Sequence, residues 1–292
     1  RFGVMQRARL RQKGFSPDVL VMTATPIPRT LSMTVYGDLD VSVLDKLPGG
    51  RKPVRTTWRL ENKRPQIYRF VRDQLAAGAQ VYVVFPLVEE SEKLDLKAAV
   101  DSYEIMKSKF FQNFKVGLLH GRMSSDEKEH TMSRFKSGDI DLLVSTTVIE
   151  VGVDVPNATI MVIEHAERFG LTQLHQLRGR VGRGVKQSFC ILIAYDPLSD
   201  EALTRLNAMA ETTDGFLIAE RDLELRGPGD YFGVRQHGLP NLLIADILND
   251  KDILIRARKE AFDLMQHEPK AGEWIENPGG DYLLRRFKER SD

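Results

Sequence analysis

IDLLVSTT, residues 140–147, and ATIMVIEHA, residues 158–166, are continuous apolar runs rich in β-branched residues, short enough for strands. A sheet with one wet face alternates apolar and polar residues, so runs like these belong to strands buried on both faces. Four more share the character: DVLVMTAT (18–25), AQVYVVFPLV (79–88), KVGLLHG (115–121) and SFCILIAY (188–195). Helical stretches separate them. RPQIYRFVRDQLAAG (64–78) places Ile67, Phe70, Val71 and Leu75 on one face and stops at Gly78. SSDEKEHTMSRFKSG (124–138) opens with the capping-box pair Ser124 and Glu127, carries Met132 and Phe135 three apart, and stops at Gly138. Strands alternating with helices predict an α/β domain, a parallel sheet with helices on both faces.

The alternation sets the boundaries. The α/β domain is expected over 53–196. From Pro197 the chain reads as a mostly helical appendage, 197–292: a helix in LSDEALTRLNAMAETT, a Gly-rich loop RGPGDYFGVRQHGLP (226–240), a helix from about Leu242 to Gln266 and a charged tail. Residues 1–52 read as the end of a preceding domain and a linker, because the strand DVLVMTAT has no sheet of its own here.

Bulk properties narrow the function. The 292 residues carry a formal net charge of +1, with 42% hydrophobic and 28% charged residues, which suits a folded domain and excludes strong global attraction to polyanions. Any nucleic-acid surface must therefore be local. The cluster Arg1, Arg7, Arg9, Arg11 and Lys13 is one such patch, or a solvated helix face. The single cysteine, Cys190, sits inside a predicted strand and has no partner for a disulfide or thiolate metal site. No apolar run reaches the ~20 residues of a membrane span, so a cytoplasmic protein is expected.

Ligands of open parallel sheets gather at the carboxyl ends of the strands. The expected strand ends carry TAT (23–25), HGRM (120–123), STTVIEVGVD (145–154) and QLHQLRGRVGR (173–183). The hydroxyls of Thr146 and Thr147 suit a phosphate edge. Gly152 permits close backbone approach, and Asp154 can accept from ribose hydroxyls. Helical spacing from Gln176 to Arg180 to Arg183 aligns an amide and two guanidiniums, forks of permanent charge suited to a transferring phosphoryl group. Gly179 and Gly182 are expected to keep that flank open, while Arg178 lies off the face and serves packing or DNA contact. Each piece alone is ordinary; the ordered set is not.

That set resembles the second half of a superfamily 2 helicase or translocase motor, with TAT similar to motif III, STTVIEVGVD to motif V and QLHQLRGRVGR to motif VI. VMTATPIPRTLSMTVYGDLDVSVLDKLPGGRKPV and ERDLELRGPGDYFGVRQHGLP narrow the resemblance to the RecG family, ahead of Mfd-type translocases, which share the second segment. The resemblance implies a RecA-like sheet and ATP-driven movement on branched or duplex DNA by a monomer. Arg180 and Arg183 would reach the γ-phosphate and Gln176 would fix them. Gly152 and Asp154 would line the nucleotide cleft. Thr146, Thr147, His120, Gly121 and Arg122 would face DNA backbone, and Thr23 with Thr25 would link the two sites. Arg226, Arg235 and Gln236 would couple ATP-driven closure to movement. The chain has neither a G-x-x-x-x-G-K-[ST] loop nor an acidic box. Both, and with them the Mg²⁺ that accompanies ATP, are expected ahead of Arg1, and no metal site is expected in this chain. The rival from another class is a non-catalytic DNA-binding module.

Overall fold

The computed structural model describes residues 49–86, 92–147, 154–231 and 250–267, with residues 20, 22, 42 and 44. Six strands form one parallel sheet: β1 (Arg55–Leu60), β2 (Gln80–Val84), β3 (Val116–Leu119), β4 (Leu142–Ser145), β5 (Ala158–Ile163) and β6 (Phe189–Ala194), in the order β1-β6-β5-β2-β4-β3. The helices are α1 (Arg64–Ala76), α2 (Glu92–Ile105), α3 (Ser125–Lys136), α4 (Leu171–Arg178), α5 (Asp200–Glu211), α6 (Gly215–Tyr231) and α7 (Lys251–His267).

Strand order dictates the layers. The chain steps outward from β1 to β2 to β3, then returns through β4 and β5 to β6. Right-handed crossovers therefore put α1 and α2 on one face and α3 and α4 on the other. The core divides accordingly. Val81, Val83, Ile160, Val162 and Ile193 point to the α1–α2 side with Ile67, Val71 and Leu75, whereas Tyr82, Met161, Ile163 and Leu192 point to the side holding Phe135, Leu174 and Leu177. The central strands β2, β4 and β5 are buried at every position, as their continuous apolar runs demand.

The capping box closes on α3. Ser124 Oγ accepts from the Glu127 amide, Glu127 Oε2 accepts from the Ser124 amide at 2.8 Å, and the helix stops before Gly138, whose φ is +84°. Cys190 is fully buried in β6, and burial pushes its thiol up to about 12.

Three expectations are corrected. Leu20 and Met22, placed in a buried strand by their sequence, are highly exposed and lie in no strand, and the rest of DVLVMTAT lies outside the described residues. The boundary at 196/197 does not separate two packed bodies. Residues 44–231 fall in one compact unit. Leu206 and Met209 of α5 and Ile218 of α6 are buried in the sheet's own core, and Trp58 Nε1 of β1 donates to Asn207 Oδ1 at 2.9 Å. Finally, the first residues of the loop expected over 226–240 are helical, because α6 continues to Tyr231; residues 232–240 lie outside the described residues. Burial of Ile218, Ala219 and Leu223 anchors its first turns, and once nucleated a helix gains one bond for each further residue it fixes. The last helix, expected from about Leu242, is seen as Lys251–His267; residues 242–249 lie outside the described residues.

Candidate nucleotide half-site

Helix α4 carries the arginine-rich segment, and its course relocates the site. It starts after the carboxyl end of β5 and runs back along the sheet, ending at Arg178 with Gly179 as its cap. The helical register expected through Arg183 therefore stops one turn early, and Arg180 and Arg183 lie on the connection to β6. The loop is fastened near the amino ends of the strands. Lys186 Nζ donates to Asn157 Oδ1 at 3.2 Å, and a Cβ on Gly184 would come within 2.9 Å of Pro156 O. The site is thus not confined to the carboxyl ends of the strands. It runs along the α4 face, from Thr147 beyond β4 to Asp154 ahead of β5.

Along that path five residues converge in two contacts. Thr147, Gln176 and Arg180 line one recess with Gln173 and Leu177. Arg183 Nη1 lies 3.5 Å from Asp154 Oδ1, and Arg183 Nε donates to Gly179 O at 3.4 Å. The Tyr82 phenol, on the sheet face beneath, is pushed up to about 12 by burial, against the pull of Arg180 and Arg183. Gln173, Gln176, Arg180 and Thr147 thus bring polar groups to the rim of a small, mostly apolar recess, and one carboxylate steadies the outer arginine.

The glycines work differently from their expected role. Gly182 has φ +80°, and a Cβ there would sit 2.7 Å from Val54 Cγ2, so the loop's own turn and the approach of the β1 lead-in require it. Arg178 contacts no ligand surface. It is 3% exposed, and its guanidinium donates to Met209 O (3.1 Å), Thr212 O (2.7 Å), Thr213 O (3.3 Å) and His175 Nδ1 (3.1 Å). Of the two roles open to it from sequence, packing is the one it has, and it ties the end of α4 to the α5–α6 connection. At the other end of α4, Thr172 Oγ1 donates to the buried Asp222 Oδ2 at 2.9 Å.

Other expected residues fall elsewhere. Thr146 is fully buried with its hydroxyl unpartnered among the described residues, so it reaches no DNA-facing surface: backbone pairing with Leu119 O draws it into the sheet end. His120, Gly121 and Arg122 follow β3 at the far edge of the sheet, and His120 and Arg122 open onto a separate groove. Thr23, Thr25, Gly152, Arg235 and Gln236 lie outside the described residues, as does the side chain of Arg226.

A polar cluster that sequence reading missed sits at the carboxyl ends of β5 and β6, against the first turns of α1. Glu164, fully buried, accepts from Arg64 Nη2 at 2.8 Å, Tyr195 Oη at 3.0 Å and Tyr68 Oη at 3.2 Å, and Arg64 also contacts the Tyr195 hydroxyl. Burial raises the Glu164 carboxyl, while Arg64 pulls it back. His165, at φ 50°, stacks on Tyr195 with ring centres 3.7 Å apart. The signal in the sequence was Glu164, a carboxylate closing an otherwise apolar strand.

Comparison with known proteins agrees with this architecture. Residues 62–185 match the helicase conserved C-terminal domain, and residues 212–291 match the C-terminal part of domain 3 of the ATP-dependent DNA helicase RecG. The chain is 55% identical over 269 residues to the ATP-dependent DNA helicase RecG of Synechocystis, covering 92% of this chain and 32% of that protein. It is 54% identical over 265 residues to the RecG of Bacillus subtilis, covering 91% and 39%. Among solved structures, RecG bound to a three-way DNA junction aligns with a TM-score of 0.65 at 48% identity, covering 83% of this chain and 31% of that one. The chain spans about a third to two-fifths of the length of these relatives. Among the described residues no helix is long and apolar enough to cross a membrane, and no group of three metal-ligating side chains occurs.

Proposed function

The chain belongs to the RecG family of ATP-dependent DNA helicases, and from that premise we propose that it forms the second motor domain of an ATP-driven, monomeric, cytoplasmic helicase acting on branched DNA. The observation that carries this reading is the meeting of Gln176 and Arg180 in one recess beside the Arg183–Asp154 pair, with Thr147, assigned to the DNA edge, on the same rim. These residues fit a nucleoside triphosphate: fixed cationic donors for its phosphates and a carboxylate for its ribose. ATP, with Mg²⁺ held by a preceding motor domain, would supply the phosphoryl group whose transfer to water drives the cycle.

The residues of this chain then have distinct tasks. Arg180 and Arg183 neutralise charge that develops during transfer, a contribution of ~10³ to 10⁵ in rate where an arginine finger is supplied. Gln176 orients them, and Asp154 holds Arg183 in its waiting position. Gly152 lets backbone approach the nucleotide. His120, Gly121, Arg122 and Thr147 are proposed to meet DNA backbone, Thr23 and Thr25 to link the two sites, and Arg226, Arg235 and Gln236 to pass domain closure to the duplex. Thr146 could join them only if its strand end opened.

Arg183→Ala in the longer protein tests this, with the 292-residue chain alone as the baseline that hydrolyses no ATP. DNA-stimulated turnover should fall by about three orders of magnitude while ATP binding persists. Equal loss of binding and turnover would make Arg183 a ground-state ligand, and turnover by the chain alone would overturn the half-site.

A further inference from the structure

The sheet ends at β3, and among the described residues no strand pairs with its outer side. The amides of Asp141 and Leu142 take Lys115 O, and that of Thr146 takes Leu119 O. Odd-numbered residues of this strand thus turn their backbone groups inward to β4, and by alternation Val116 and Leu118 turn theirs out. A groove of about 520 Å³ follows this open edge, bounded by Tyr103 of α2 on one side and Thr131 and Arg134 of α3 on the other. Lys115, Arg122 and Arg134 give it three cationic side chains, all exposed. Its one lining carboxylate, Glu127, is turned onto the Ser124 amide at 2.8 Å and the Ser124 hydroxyl at 2.9 Å.

We propose that this edge is a docking site for an acidic, extended segment of a partner protein, which adds a strand beside β3. Open strand edges recruit strands because each outward residue offers one amide and one carbonyl. An arriving peptide answers both; a DNA phosphate, which only accepts, would meet the outward carbonyls as repulsion. The side chains set the sign. Cations at the start of the strand (Lys115), beyond its end (Arg122) and on the flanking helix (Arg134) favour carboxylates at alternate positions of the incoming strand, the spacing at which side chains share a face. The groove lies away from the recess of Gln176 and Arg180, so occupancy need not block the nucleotide half-site. The inference is independent of the proposed ATPase role, but the groove shares His120 and Arg122 with the proposed DNA contact, so peptide and DNA would compete there.

The test uses the isotope-labelled 292-residue chain and a capped peptide of alternating threonine and glutamate, about eight residues long to overreach β3. Titration should shift the amide resonances of Val116 and Leu118, with an affinity that weakens as salt rises. Val116→Pro removes an outward amide without touching the ladder to β4, a substitution that edge strands tolerate. It should weaken binding about three- to tenfold, the worth of one backbone hydrogen bond. Arg134→Glu, on the solvent side of α3, should weaken it about tenfold and serves if the proline variant does not fold. Peptide binding unchanged in Arg134→Glu, or absent from the start, overturns the proposal. So does a result in which Lys115→Glu and Arg134→Glu spare the peptide but weaken a duplex oligonucleotide, because the groove would then be a DNA contact.

Discussion

Arg178 shows how a motif can mislead at the level of one residue. QLRGRVGR displays three arginines alike, and spacing separates Arg178 from the other two but cannot choose between packing and ligand contact. The structure chooses by burial: a guanidinium 3% exposed needs acceptors, and one carbonyl of α5 with two of the α5–α6 connection supply them. Its fourth contact, His175 Nδ1 at 3.1 Å, has a consequence for pH. Arginine can only donate, so His175 must accept there and be neutral. Burial first, then the Arg178 charge, lowers the His175 imidazole to about 4, with Asp214 opposing. Unfolded, the same group titrates near 6.5. The unfolded chain therefore binds the extra proton between those values. The contribution is complete above pH ~6.5, shrinks as the pH falls and is gone below about 4, in all of the order of 3 kcal/mol. His175→Gln keeps an acceptor for Arg178 but cannot protonate. Urea unfolding at pH 7.5 and 4.5 should show the wild type losing more stability than the variant on acidification; parallel losses would mean His175 is not held neutral.

Among elements, the continuous apolar strands β2 to β6 and helices α1 and α3 were legible because burial on both faces, or a capped amphipathic face, leaves a strong periodic signature. β1 was not, since RTTWRL at the sheet edge mixes charged and β-branched residues and is only partly buried. The end of α4 was misjudged for a related reason: side-chain spacing in QLRGRVGR is compatible with a longer helix, and the stop is set by tertiary contact. Gly182 is where that contact is made. Its φ of +80° disfavours any Cβ, and Val54 Cγ2 would stand 2.7 Å from one. Gly182→Ala should cost about 2 kcal/mol, strain and collision together. Combining it with Val54→Ala should recover roughly half, the collision component, and leave the backbone component. A double-mutant cycle from denaturant unfolding measures the coupling; additivity within ~0.3 kcal/mol would show that the turn and the β1 lead-in do not meet.

At the scale of the whole chain, the order of elements and the α/β class could be read from pattern, and the RecA-like class from the motif resemblance, but the boundary of the folded unit could not. Loss of strand alternation after Tyr195 signals a change of secondary structure, and a change of secondary structure is not a domain border. α5 and α6 show why. Ala202, Leu206, Met209, Ile218 and Leu223 are all buried, Arg178 is satisfied almost entirely by carbonyls from this region, and Arg205 Nη2 donates to Glu167 O at 2.9 Å across to the β5–α4 connection. Cutting at the sequence boundary would strip that cover from the α4 face, expose its apolar residues and remove three of the four partners of Arg178, losses of ~1–3 kcal/mol each against a typical domain stability of ~5–15 kcal/mol. A fragment of residues 53–196 should therefore fail to unfold cooperatively and should bind a hydrophobic dye. A fragment of residues 44–231 should show one sharp transition by both circular dichroism and tryptophan fluorescence, since Trp58 reports through its bond to Asn207. Cooperative unfolding of the shorter piece would mean that α5 and α6 are a dispensable cover, and that the arginine turn is held by the sheet alone.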